Sequence, residues 1–251
     1  MFSLVLFSFF SCAALEMAQT WQLDRLRILG AKAEPAEPKP GDSVSFSSFI
    51  YSPQDTDLES VIWFGCLPDD ASSFGCTIDP SIMEEFENPP EDPQEQLAFF
   101  QELKEAGFIG AEPDLPPNWI VPEDALDGLD DAQKIEGRSA FINITAVPSN
   151  SDQQEDVELA YRRIPVSLND NPNQNPVIES FSINDSLYLE DDIFYAKVNE
   201  SYDIDLKLSS DSVEEYSYVN LQGEEELRTE EPYFTWYLEA GEFLQNFTLY
   251  P

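Results

Sequence analysis

Three cysteines, 50 acidic side chains and no histidine define the chemistry open to this 251-residue chain. Without imidazole, the commonest general base and the commonest metal ligand are both missing. Ser-His-Asp and Cys-His nucleophilic systems and histidine-based zinc sites are therefore excluded. No nucleophile elbow, phosphate-binding glycine loop or dinucleotide fingerprint occurs. The carboxylates leave two kinds of chemistry: holding a hard cation, or acid–base work in pairs. Paired acids about 5–10 Å apart can hydrolyse a glycosidic bond, but among so many acids no pair stands out. No catalytic residue is assigned, and an enzyme is not expected. The aromatic residues Trp119, Trp236, Tyr233 and Tyr237 could stack on a sugar. Trp119 lies in a proline-rich stretch and is expected to be exposed, as a contact for a glycan or a protein. Trp63 and Trp236 are expected in a core.

Cation binding centres on "SLNDNPNQNPVIESF", Ser167 to Phe181. Its Asn169, Asp170 and Asn171 offer oxygen ligands, and the "DID" of Asp203 and Asp205 lies further along. Glu190, Asp191 and Asp192 add more. This arrangement resembles the acidic joints at which cadherin-type repeats hold calcium, which takes about 6–8 oxygens at about 2.3–2.6 Å. A matching inner glutamate motif is absent. The alternative is a spacer, stiffened because Pro172 and Pro176 fix their own φ and restrict the residues before them. Calcium is thus the one possible cofactor.

The charge balance is 12 basic against 50 acidic residues, or −38. Such a chain repels nucleic-acid phosphates and anionic lipid surfaces, so no nucleic-acid partner is expected. Solubility in a salty medium accounts for the charge, as does affinity for cations or basic partners. With 42% hydrophobic residues, including 18 Phe, the chain can still build a core.

The cysteines point to an exported setting. Residues 2–14, "FSLVLFSFFSCAA", form a short apolar run ending in small residues, below the about 20 residues a membrane helix needs. The run reads as a secretory signal, although Met1 is followed by Phe2 rather than a basic segment. "FFSC" resembles a bacterial lipobox, which implies lipidation at Cys12 and a membrane partner reached through that anchor. Ordinary cleavage near Ala14, giving a secreted protein, stays open. In an oxidising compartment, Cys66 and Cys76 of "WFGCLPDDASSFGCTID" are expected to form a small disulfide loop.

The elements that position these residues read as β. "LDRLRILGAKAEP" and "SVSFSSFIYSP" alternate apolar and polar residues around the turn at Gly41-Asp42, with Val44, Phe46 and Phe49 inward. "ESVIWFGCLP" supplies a strand carrying Trp63. "RSAFINITAVPS" and "DVELAYRRIPVSL" supply two closing strands, whose Arg162-Arg163 pair is expected to balance nearby acids. Ahead of these closing strands, residues 79–136 break the pattern with 16 acidic residues and one lysine from Asp79 to Asp131. There "EDPQEQLAFFQELKEAGF" predicts a helix capped by Asp92, with Pro93 first, Glu95 completing a capping-box signature, and Leu97, Phe100 and Leu103 as its apolar stripe. A short second helix is expected from Pro122. Beyond the joint, "PVIESFSIND", "AKVNESYDIDLKL", "EEYSYVNLQGE" and "PYFTWYLEAGEFL" give further strands.

"RILGAKAEPAEPKPGDSVSFSSFIYSP", followed by "WFGCLP" and a second cysteine, resembles lipoproteins of the myxobacterial/δ-proteobacterial type with tandem immunoglobulin-like domains. "NPVIESFSI" and "EPYFTWYLEAGEF" are similar to parts of the second domain of that group. The resemblance implies location and fold rather than an activity. The expectation is an all-β protein of two immunoglobulin-like β-sandwich domains in tandem. A signal and tether occupy residues 1–19. The first domain spans 20–171 with a helical insertion at about 79–136, and the second spans 172–251 and is expected to be incomplete. The expected role is structural or ligand-binding at the bacterial cell envelope, at the outer membrane, without catalysis. A calcium-dependent adhesion module and a carbohydrate-binding or carbohydrate-active protein are the alternatives.

Overall fold

The strand from Arg138 to Pro148 shows what organises the chain, because its buried and half-buried side chains alternate without a break. Ala140, Ile142, Ile144 and Ala146 face one side and are all but inaccessible. Period-two alternation is the signature of a strand with one face in a core. The computed structural model describes residues 20–251 except 55, 69–70, 73–74, 78–89, 91, 150–156, 190–191, 220–224, 246 and 250–251. The expected signal and Cys12 therefore lie outside the described residues, as do Glu190 and Asp191.

Two antiparallel sheets face one another. The first has the order β1-β2-β7, built from Arg27–Glu34, Ser43–Tyr51 and Asn118–Ile120. The second has the order β6-β3-β8-β9, built from Phe108–Glu112, Leu58–Cys66, Arg138–Pro148 and Glu158–Val166. Their shared core takes Ala33, Val44 and Phe46 from one sheet and Val61, Trp63, Ile142, Ile144 and Ile164 from the other. Trp63 is wholly buried and stacks on Phe46 at a centroid distance of 5.6 Å. Burying each such side chain contributes about 1.5–3 kcal/mol. The chain is an all-β sandwich.

The run "VIWFG" in β3 is buried on both faces, since alternate residues serve different layers. Val61 and Trp63 point into the sandwich, while Ile62 and Phe64 cluster with Phe99, Leu103 and Phe108. Phe99 and Leu103 come from helix α1, Pro93–Glu105, which covers the outer face of the second sheet. Asp92 caps that helix as its sequence implies, its carboxylate accepting from the backbone N–H of Gln94 and Glu95 at 2.8 and 3.3 Å. The buried stripe differs from the expected one: Leu97 and Phe100 are exposed, and the i, i+4 pair Phe99–Leu103 makes the contact. Both stripes fit helical spacing, and only the sheet beneath selects one.

Three further expectations change. The expected insertion at 79–136 is not all insertion, because β6 and β7 lie inside it and complete both sheets. Strands of five and three residues beside prolines are too short to show periodicity. The second helix, α2, spans Asp131–Glu136 behind an Asp130–Gln133 capping box, whereas the segment after Pro122 forms turns. Phe49 faces solvent at 70% exposure, because the inward set of β2 is Val44 and Phe46.

Cys66 and Cys76 are bonded, with Cα atoms 5.6 Å apart. The bond ties β3 to a two-residue hairpin, β4 (Ala71–Ser72) with β5 (Gly75–Cys76). Asn143 of β8 clamps that hairpin at Cys76, accepting from its N–H at 3.1 Å and donating to its carbonyl at 3.3 Å.

From residue 178 the strands pair among themselves. A sheet of order β11-β10-β12 uses Ser186–Tyr188, Ile178–Ile183 and Ile204–Leu208. The ribbons β13-β14 (Glu215–Val219, Glu225–Thr229) and β15-β16 (Tyr233–Thr235, Phe247–Leu249) follow. Among the described residues, all buried apolar side chains but Ile183 and Leu208 precede residue 172. In their place an aromatic file of Phe181, Tyr188, Phe194 and Tyr202 packs this half, with centroids 5.7, 5.7 and 4.8 Å apart. The first described residues reach it directly. Leu23 N–H donates to the Leu238 carbonyl at 2.8 Å, and Trp21 meets Phe243 edge-on at 5.4 Å.

Candidate functional site

Two places merit a functional reading, the joint at residues 167–177 and a groove at one end of the sandwich. The joint is held by direct hydrogen bonds to the β1–β2 turn region, "EPAEPKPGD". Glu37 is the centre of that fastening. Its carboxylate accepts from the Ser167 hydroxyl and, at 2.7 Å, from the Asn173 backbone N–H. Ser167 is only 1% exposed, and its N–H donates to the Pro38 carbonyl at 3.2 Å. Asn175 donates its side-chain amide to the Ala33 carbonyl at 2.6 Å and to the Glu34 carboxylate at 3.1 Å. At the far end, Val177 N–H donates to Ser212 Oγ at 2.7 Å, and Ser209 N–H donates to the Val177 carbonyl at 2.9 Å. Burial pushes the nearby Glu214 carboxyl above the ordinary carboxylate range. A hydrogen bond from the Gln174 backbone opposes this, and the Glu230 and Glu37 carboxylates add to it.

The oxygen atoms proposed for calcium are placed as follows. Asn169 Oδ1 accepts from Asn171 N–H at 3.0 Å, which makes an Asx turn. Asp205 Oδ1 accepts from Leu206 N–H at 2.9 Å, and the Asp203 N–H donates to Asn184 Oδ1 at 2.8 Å. Asp170 is exposed. Among the described residues, no group of three or more His, Cys, Asp or Glu is gathered as a metal would require. The structure thus gives "NDN" a local turn role, which its residue types also allow.

Trp119 is a correction. It lies in β7, 7% exposed, opposite Val44 of β2 and inside the main core, so it offers no surface to a glycan or a protein. Its prolines place it there: Pro117 is itself buried and passes its carbonyl to Phe46 N–H at 3.2 Å, starting the strand. For the Arg162-Arg163 pair, expected to balance nearby acids, neither arginine meets an acid among the described residues. Arg162 Nη1 donates to the Ala31 carbonyl, joining the edge strands β9 and β1, and Arg163 stacks over Phe141 at 5.2 Å. Burial lowers the Arg162 pKa. It lines a cleft of about 260 Å³ with Ile28, Ile144 and Tyr161.

The larger groove was not visible in the sequence. It has a volume of about 400 Å³ and lies between Phe46 of β2, residues 58–61 of β3, and the turn that follows β6. Phe46, Leu58, Pro113, Pro116 and Pro117 line it, with Glu59 and Glu112 as its acids. The turn folds back tightly, with Ala111 and Leu115 exchanging backbone hydrogen bonds at 2.9 and 2.8 Å. Gly110 permits this, since a Cβ there would stand 2.5 Å from Pro117 Cα. Burial raises the Glu112 pKa, and among the described residues no cation or hydrogen-bond donor offsets it.

Among the described residues no helix is long and apolar enough to cross a membrane. No protein-family model, curated protein or solved structure matches the chain.

Proposed function

We propose that this chain is an exported protein of the bacterial cell envelope, anchored by lipid at Cys12. Its two immunoglobulin-like β-modules in series serve a structural or ligand-binding role without catalysis. The observation that supports export is the Cys66–Cys76 bond, because disulfides persist in oxidising compartments and are rare in a reducing cytosol. The lipobox-like "FFSC" supports the anchor, and the absence of histidine supports a non-catalytic role. Two antiparallel sheets around a buried Trp63 are compatible with an immunoglobulin-like module. One feature departs from that pattern: the disulfide ties β3 to its own hairpin instead of crossing between the sheets.

Metabolic palmitate labelling of the wild-type chain and of Cys12→Ala tests the anchor. Label is expected on the wild type and lost from the variant; label that survives the substitution removes the anchor from the proposal. Alkylation of the two remaining thiols before and after reduction tests export. Cys66 and Cys76 are expected to react only after reduction, and free thiols at both positions in cells would overturn the assignment.

A further inference from the structure

The groove beside β6 carries an inference that deepens the ligand-binding role proposed above and rests on that reading. We propose that it receives a lysine or arginine side chain presented by a partner polypeptide. Its shape suits a cation on an apolar stem. Phe46, Leu58 and the prolines 113, 116 and 117 line an opening of about 400 Å³, and Glu59 and Glu112 supply negative charge. A volume of that order is within the range of about 300–1,000 Å³ typical of ligand sites. Lysine and arginine bury their methylene stems against apolar surface while keeping the charged head near carboxylates.

Charge decides the occupant. Neither the Glu59 nor the Glu112 carboxylate has an ion pair or hydrogen bond among the described residues. Glu112 is also the acid of this groove that its surroundings desolvate, so its charge form is disfavoured until a cation arrives. The net charge of −38 attracts basic partners from a distance and repels a second copy of this chain. The walls are held without a ligand. Val61 pairs with Glu112 in the sheet, and the exchange between Ala111 and Leu115 closes the turn that carries the prolines. A preformed site of this kind costs little ordering when it binds.

The test is an NMR titration of the full chain at low salt. The probe is an acetylated hexapeptide with one central lysine among alanine and valine, compared with its glutamine counterpart. Backbone shifts are expected at Phe46, Ser60 and Val61 with the lysine peptide and not with the glutamine peptide. Glu112→Gln, and separately the exposed Glu59→Gln, should weaken binding about tenfold. Glu231→Gln, which removes a charge from a residue that does not line the groove, should change it less than about twofold. Affinity should also rise with pH as Glu112 ionises. Shifts spread over the acidic surface, or equal weakening by Glu231→Gln, would overturn the proposal. Butylamine binding as tightly as the peptide would overturn the polypeptide occupant in favour of a free amine. The palmitate and thiol experiments address location alone, so a failure there and a failure here are distinguishable.

Discussion

Replacing Glu37 by alanine should loosen the joint between the two halves of the chain. The carboxylate accepts from the Ser167 hydroxyl and the Asn173 N–H, and Ser167 is 1% exposed, so water does not readily replace the lost partner. Hydrogen bonds to a charged group contribute about 1.5–3 kcal/mol each. Two would give about 3–6 kcal/mol, less the relief of repulsion that Glu37 exerts on Glu214 and less any contraction around the site. A net loss of about 2–4 kcal/mol follows, or roughly 5–15 °C in melting temperature for a cooperative unit of this size. Glu37→Gln should lose about half as much, because Ser167 and Asn173 donate to different carboxylate oxygens and the amide oxygen can replace only one of them. The discriminating assay is amide hydrogen exchange at Asn173, where about 1.4 kcal/mol of lost protection means tenfold faster exchange. Exchange at Asn173 should accelerate at least tenfold in Glu37→Ala, while Ile142 in the core of β8 keeps its protection. If the Asn173 amide exchanges as in the wild type and the melting temperature is unchanged, the fastening is a contact without energetic weight.

Other expectations can be checked on the same protein. Millimolar calcium should leave the unfolding temperature unchanged by calorimetry, since direct hydrogen bonds hold the joint; a rise of several degrees would favour the cadherin-like reading. Trp119→Ala should cost about 3–5 kcal/mol in urea unfolding, as large-to-small changes in packed cores do, and a loss below about 1 kcal/mol would contradict its burial. Glu214 has a folded-state pKa above its unfolded value, so it favours the folded state when protonated. Its contribution is therefore present below the unfolded carboxyl range and fades as pH rises through the raised folded value. Stability should fall over that upward step, and Glu214→Gln should flatten this part of the pH profile; an unchanged profile would refute the assignment.

Much of the sandwich was legible because long strands announce themselves. The alternation in "RSAFINITAVP" and the double-faced apolar run around Trp63 require no tertiary information to be read as strands. The cap of α1 was equally local: Asp92 accepts from the backbone N–H groups of Gln94 and Glu95 behind Pro93, although the Glu95 side chain does not close the capping box its position suggests. The disulfide followed from two cysteines close in sequence, read together with compartment chemistry.

What failed was whatever depended on a distant surface. Trp119 looked like a loop aromatic because three residues of strand between prolines carry no period, and only β2 lying opposite makes it core. Phe99 outranks Phe100 on α1 because of where Ile62 and Phe64 stand, not because of anything in the helix itself. The joint was read as polar and extended, which its prolines and asparagines dictate. That it is fastened by a glutamate 130 residues earlier could not be read, because no local rule pairs Ser167 with Glu37. Composition and short-range spacing set the class of fold, the caps and the turns, since those are interactions within a few residues. Which carboxylates stay unpaired, which aromatics are buried and where a groove opens were decided only when two sheets met, because burial belongs to the packed surface and not to the residue.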